Sequence, residues 1–104
     1  MVATINWSDP QLMRAVFLWT GYGETNSPRR DKDFMLQNFG EDSERWLAVV
    51  ESLADEFYES NASFEAADIQ EMWRMVIADF KEKYPSVPED IAKAFAWCFT
   101  FDNR

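Results

Sequence analysis

The chain has 104 residues, of which 47% are hydrophobic, and it carries a formal net charge of -9 without a single histidine. Its apolar content is too high for intrinsic disorder, and its three glycines are too few for the many tight turns of an all-β fold. The lack of histidine removes the commonest general base, the commonest metal ligand and every Ser-His or Cys-His nucleophile pair. We therefore expect one all-α domain over residues 1–104, a bundle of four to five helices that is not an enzyme and holds no cofactor or metal.

The first helix has clear start and stop signals. Before it, the segment VATIN alternates weakly and predicts a short extended N-terminal arm. Ser8 is predicted to cap the helix, with Gln11 as its capping-box partner three residues later. Gly21 follows the apolar stretch LMRAVFLW, and we expect it to end the helix in a left-handed conformation.

The second and third helices are separated by Gly40. The second is predicted to be short, beginning near Pro28 or Asp31 and ending at Phe39. The third, within EDSERWLAVVESLADEFYES, has the clearest helical period in the chain and begins near Asp42 or Ser43. The apolar stripe that we expect to face the core contains Trp46, Val50, Leu53 and Phe57.

Two more helices complete the prediction. A long fourth helix, capped by Ser63, is expected to run through FEAADIQEMWRMVIADFKEKY until Pro85 stops it. Ser86 and Glu89 form a second capping-box pattern at the start of the last helix, EDIAKAFAWCFTF, which is apolar on nearly all sides. The lone cysteine of that helix, Cys98, is predicted to be a buried thiol, and it excludes an intramolecular disulfide.

The loop GYGETNSPRR between the first two helices has two glycines but is not a phosphate-binding pattern. It follows a helix instead of a strand, it lacks the Gly-Lys-Ser/Thr signature, and it has Glu24 where an anion would bind. We interpret it as a turn. Because Arg29 and Arg30 oppose the dipole of the next helix, they are expected to pair with carboxylates elsewhere or to form, with Tyr22, an anion- or ligand-binding corner.

The negative charge is concentrated in one part of the chain. Residues 41–71 contain ten acidic residues and one basic residue, whereas the remaining residues contain nine of each. On the third helix, an outer stripe opposite the core face contains Glu44, Glu51, Asp55 and Glu59. The pattern predicts an anionic surface for a partner, or the ordinary solvated face of an acidic protein.

From these features we expect a small acidic interaction domain. Its stripe, with Tyr58 or Tyr22 as an aromatic contact, would bind a basic surface of another protein, as an inhibitor, an immunity-type protein or a nucleic-acid mimic does. An acidic field repels phosphates, so direct nucleic-acid binding is not expected, and no apolar run is long enough for a membrane span. A single cysteine favours a cytoplasmic location.

Two alternatives stay open. The apolar C-terminal helices could pair with those of a second copy, which would make the protein a structural or oligomeric module such as a homodimer. The chain could also be an enzyme or a small-ligand binder at the corner formed by Tyr22, Arg29 and Arg30.

Overall fold

Six α-helices and one turn of 3-10 helix form the fold in a computed structural model that describes residues 6–60 and 62–103. In chain order they are α1 (Pro10–Thr20), α2 (Lys32–Phe39), the 3-10 turn (Gly40–Asp42), α3 (Ser43–Phe57), α4 (Ala62–Glu65), α5 (Ile69–Lys83) and α6 (Glu89–Asn103). Of the described residues, 73% are helical, and the predicted all-α bundle is confirmed. Apart from its last residue, the predicted extended arm lies outside the described residues.

The C-terminal helix α6 is the central element of the bundle. It packs against α1, α3 and α5, and its buried residues are Ile91, Ala92, Ala94, Phe95, Ala96, Cys98, Phe99 and Thr100. Phe57 of α3, Phe80 of α5 and Phe95 of α6 meet with ring centroids 4.4 to 6.4 Å apart. The nearly all-round apolar character of α6 is therefore the signature of a helix surrounded by its neighbours.

Capping side chains define the starts of α1 and α2. The prediction of Ser8 as the first cap is wrong, because the Asp9 carboxylate accepts the hydrogen bond from the Gln11 backbone N–H at 2.9 Å. A carboxylate next to the first turn also interacts favourably with the helix dipole. Of the two predicted starts of α2, the structure has the one at Asp31, whose carboxylate caps the helix. The prediction that Gly21 ends α1 is confirmed, with φ of 76°.

The predicted fourth helix is two helices, so the prediction of one helix capped by Ser63 is wrong. The chain leaves the helical conformation between α4 and α5, and the Asp68 carboxylate caps α5 by accepting from the Glu71 backbone N–H at 2.7 Å. The Glu71 side chain reaches back and accepts from the backbone N–H of Ala67 at 3.3 Å. These two local hydrogen bonds, which resemble a capping box with the second bond shifted by one residue, start a new helix despite the continuing helical pattern.

The connection between α5 and α6 contains one confirmed and one wrong prediction. Tyr84, which precedes Pro85, leaves the helical region with φ of -132° and ψ of 81°, as predicted for a residue before proline. Ser86 is not a cap, because α6 begins at Glu89 and the preceding position is Pro88. Val87 inserts into the core and donates its N–H to the Tyr84 carbonyl, which delays the start of α6.

Candidate functional site

The acidic ridge, defined as Glu44, Glu51, Asp55 and Glu59, lies opposite the buried face of α3. That face contains Trp46, Val50, Leu53 and Phe57, all buried as predicted. Glu44, Glu51 and Asp55 are exposed on the helix itself. Glu59 lies two residues beyond the end of α3, where its carboxylate pairs with the Lys83 ammonium at 2.7 Å. The ridge therefore has three acids on the helix and a fourth whose charge is compensated.

Most ion pairs of the described residues join cations to acids outside the ridge. Four ion pairs join described residues: Arg29 with Glu24, Arg30 with Asp102, Lys81 with Glu89, and Lys83 with Glu59. Only the last of these reaches the acidic segment 41–71. Within residues 6–60 and 62–103, Glu44, Glu51 and Asp55 have no ion-pair partner, so their charges are available to a ligand.

Tyr58, the predicted aromatic contact, links the end of α3 to the end of α6. Its hydroxyl donates a hydrogen bond to the Asp102 carboxylate, and its ring packs edge-on against Phe99 with centroids 5.3 Å apart. The residue is 39% exposed. Burial, and then the hydrogen bond to Asp102, raise the pKa of the Tyr58 hydroxyl above its ordinary range. The phenol therefore stays protonated and keeps donating to Asp102.

Arg30 joins the same contact from the loop before α2. Its two guanidinium Nη atoms donate to the two Asp102 carboxylate oxygens at 2.8 and 3.0 Å. This hydrogen bonding lowers the pKa of Asp102 and raises that of Arg30. The Arg30 backbone has φ of 45°, which is uncommon for a residue other than glycine, and its N–H donates to the Trp19 carbonyl at 2.7 Å.

The predicted corner of Tyr22, Arg29 and Arg30 does not form one site, because the three residues have separate neighbours. Tyr22 packs in an aromatic cluster, with ring centroids 5.8 Å from Trp97 and 6.4 to 6.5 Å from two further rings. The Arg29 guanidinium lies 4.1 Å from the centre of the Phe34 ring and pairs with Glu24. Tyr22 and Arg29 thus stabilise the fold, and a ligand role for them stays a prediction. Of the three, Arg30 lines a cavity.

That cavity, called here the α3 cleft, has a volume of about 280 Å³. It is lined by Trp19, Thr20, Arg30, Lys32, Glu51, Ala54, Asp55, Tyr58, Phe95 and Cys98. Apolar side chains of α1 and α6 form its floor, and two cations and two carboxylates lie among its lining residues.

The prediction of a buried thiol is confirmed, since Cys98 is 4% exposed, and burial raises its pKa to about 12.

A second, more polar cavity of about 430 Å³ lies where the end of α3 meets α4 and α5. Its charged lining residues are Glu56, Glu59, Glu65, Asp79, Glu82 and Lys83. Across residues 6–60 and 62–103, no group of three acidic or cysteine side chains is placed to hold a metal ion. This cavity extends the negative surface beyond the ridge without forming a metal centre there.

Sequence reasoning missed an exposed aromatic residue near these acids. Phe64 of α4 is 88% exposed, and Ile69 at the start of α5 is 43% exposed. The sequence pattern predicts both residues inside one long helix, whereas the Asp68-x-x-Glu71 pattern is the signal for a break between two helices. Lys32, Asp102 and the cleft floor were also missed, and no local pattern marks them, because they meet only in the folded chain.

The comparisons with known proteins give no assignment. Neither a protein-family model, nor a curated protein, nor a solved structure matches the chain. In the part of the chain that the structure describes, none of the helices combines the length and the apolar character needed to cross a bilayer.

Proposed function

We propose that the protein is a small acidic interaction domain that binds a basic surface of another protein through its acidic ridge. One observation carries the proposal: Glu44, Glu51 and Asp55 are exposed along one face of α3 and have no ion-pair partner among the described residues. We propose a cytoplasmic location and a role in binding without catalysis, as an inhibitor, an immunity-type protein or a nucleic-acid mimic.

The energetics of the ridge favour this use. Glu51 and Asp55 lie one helical turn apart, and like charges at this spacing destabilise an isolated helix by about 0.2–0.5 kcal/mol. No described cation forms an ion pair with either of them, so a basic partner would relieve the repulsion as it binds. The field of such a ridge also accelerates association with a positively charged surface at low ionic strength, which gives the partner both rate and specificity.

Aromatic residues near the acids would supply the apolar part of the interface. Large side chains such as Phe and Tyr contribute much of the binding energy when a partner covers them. Phe64 and Tyr58 are exposed, whereas Tyr22 is partly buried in its aromatic cluster. We therefore propose Phe64 as the main apolar anchor, with Tyr58 as a second contact that is already oriented by Asp102.

The oligomeric alternative has less support. It depended on the apolar surface of the C-terminal helix, and most of that surface is buried against α1, α3 and α5 within the same chain. A homodimer would need another apolar surface, such as the one around Phe64 and Ile69. Copies of the chain recovered as its sole partner would favour this alternative.

The test compares two variants of equal charge. In the ridge variant, Glu44, Glu51 and Asp55 are changed to Lys, and in the control variant, Asp33, Glu82 and Asp90 are changed to Lys. All six side chains are exposed and lack an ion pair among the described residues. Each tagged protein is incubated with lysate from its own source, and retained proteins are identified by mass spectrometry after low-salt and high-salt washes.

We expect a basic protein that the wild type and the control variant retain at low salt, that high salt releases, and that the ridge variant does not retain. With the purified partner, the association rate of the wild type should fall as salt rises, and that of the ridge variant should be low throughout. Equal association rates of the two variants at low salt would refute the proposal.

A further inference from the structure

The α3 cleft has the dimensions of a small-molecule site. Its volume of about 280 Å³ lies just below the range of about 300–1,000 Å³ that is typical of ligand pockets. Its floor includes Trp19, Phe95 and Cys98, which are 8%, 1% and 4% exposed and belong to the packed core. A rigid apolar floor of this size fits a molecule about as large as one amino acid.

The charged residues of the cleft come from two elements and have opposite signs. Arg30 and Lys32 come from the segment that enters α2, and Glu51 and Asp55 come from α3. No ion pair joins the two groups: Arg30 pairs with Asp102, and the other three have no ion-pair partner among the described residues. The cleft therefore offers separate positive and negative contacts to one ligand.

This arrangement selects against a ligand with a single charge. An apolar anion would meet the cations favourably but would bring its negative charge close to Glu51 and Asp55, and an apolar amine would face Arg30 and Lys32. A zwitterion satisfies both groups at once. An unfavourable juxtaposition of like charges is a common source of specificity.

The cationic side of the cleft is held in a strained conformation. Arg30 adopts φ of 45°, and contacts with two other parts of the chain fix it there. Its N–H donates to the carbonyl of Trp19, and its guanidinium binds Asp102, which also accepts from Tyr58. Strained backbone that several contacts enforce is found preferentially at ligand sites, where it positions a side chain before the ligand arrives.

We propose that the α3 cleft binds a free α-amino acid with an apolar side chain. The side chain lies on the floor formed by Trp19 and Phe95, the carboxylate accepts hydrogen bonds at Lys32 and Arg30, and the ammonium group donates to Glu51 and Asp55. This site goes beyond the proposed function and does not depend on it, although the ridge and the cleft share Glu51 and Asp55.

The first test is isothermal titration calorimetry of the full chain with L-phenylalanine and L-leucine. Two analogues each lack one charge: phenylpropionate has no ammonium group, and phenethylamine has no carboxylate. We expect saturable binding of at least one amino acid, and at least about tenfold weaker binding of both analogues, because each loses a charge-assisted contact. The proposal would be overturned if neither amino acid showed saturable binding, or if one analogue bound as tightly as the amino acid.

Cleft variants with matched controls localise the site. Ala54→Trp should fill the cleft and abolish binding, and Lys32→Gln and Glu51→Gln should each weaken it about tenfold. The controls Lys93→Gln and Glu44→Gln remove the same charges at residues that do not line the cleft, and they should bind as the wild type does. Binding unchanged in Lys32→Gln and Ala54→Trp, with both variants folded by circular dichroism, would contradict the assignment.

The same variants distinguish this inference from the proposed function. Ala54→Trp leaves every ridge charge in place, so it should still capture a basic protein partner, whereas reversal of Glu44 alone affects the ridge and not the cleft. Loss of amino-acid binding and loss of partner capture are therefore separate outcomes.

Discussion

Replacing Asp102 with asparagine tests the contact that joins the loop before α2 to the ends of α3 and α6. The carboxylate accepts two hydrogen bonds from the Arg30 guanidinium, at 2.8 and 3.0 Å, and a third from the Tyr58 hydroxyl. Asparagine has nearly the same size but no charge, and its amide NH2 group brings donors to a position where an N–H or O–H donor already points. The substitution therefore removes the electrostatic part of the contact with little change in packing.

The expected loss is about 1 kcal/mol in the free energy of unfolding at neutral pH. Partly exposed ion pairs contribute about 0.2–1 kcal/mol, and the Arg30 and Asp102 side chains are 41% and 26% exposed. A hydrogen bond to a charged acceptor is worth about 1 kcal/mol more than one to a neutral acceptor. Against this, Asp102 lies in the last turn of α6, where removing a negative charge recovers about 0.3–1 kcal/mol.

The difference between wild type and variant should depend on pH. The Asp102 pKa is lowered in the folded state, chiefly by the hydrogen bonds from Arg30, so its stabilising effect is complete above the unfolded pKa of about 4 and is lost as pH falls below that value. The Tyr58 pKa is raised, first by burial, so its effect is complete below about pH 10 and is lost above it. In Asp102→Asn, the part of the change in unfolding free energy at acidic pH that Asp102 causes should be absent.

Urea unfolding followed by circular dichroism, repeated from acidic to neutral pH, measures these differences. In a thermal unfolding experiment, the same loss of about 1 kcal/mol corresponds to a fall of roughly 4–8 °C in Tm. Glu82→Gln is the matched control, since Glu82 is an exposed acid in the last turn of α5 whose carboxylate has no hydrogen bond among the described residues. It should change stability by less than about 0.5 kcal/mol. If Asp102→Asn matched this control at every pH, the reasoning would be refuted.

Two further stability predictions use the same unfolding assay. Arg30→Gly should be about 0.5–1 kcal/mol more stable than Arg30→Ala. Both variants lose the ion pair, but only alanine keeps the left-handed strain at φ of 45°, and the greater freedom of glycine in the unfolded state offsets part of this advantage. Equal stability of the two variants would mean that this strain is absent. Asp68→Ala should cost about 1 kcal/mol and Asp68→Asn much less, because asparagine also caps helices; equal losses would show that the cap does not start α5.

Local patterns predicted the residues at which α1, α2 and α5 stop and the core stripe of α3, but not the caps of α1, α5 and α6. Gly21, Asp31 and Pro85 act through contacts with residues a few positions away, so their effects can be deduced from the neighbouring residues in the sequence. The prediction failed where two local signals competed. The capping box of Asp68 and Glu71 prevailed over a helical apolar pattern that continues through it, because it satisfies backbone N–H groups that an uncapped start would leave without partners.

The α3 cleft could not be predicted from the sequence, because its contacts join distant parts of the chain. Arg30 and Asp102 are 72 positions apart, and nothing near either residue identifies the other. Counting charges by segment located the acidic surface but could not show that Lys83 compensates Glu59, or that Lys32 lines the same cleft as Glu51. A sequence gives the sum of the charges in a segment, whereas the chemistry of a site depends on the distances between them.

The ridge and the cleft are not independent if both bind as proposed, because Glu51 and Asp55 belong to both. An amino acid in the cleft would place its ammonium group against these carboxylates, and its single positive charge would offset part of their negative charge. A basic partner would then gain less from the ridge, and by thermodynamic linkage the partner would weaken amino-acid binding by the same factor. The affinity of the interaction domain for its partner would thus fall as the concentration of the amino acid rises, through shared carboxylates and without any change of fold.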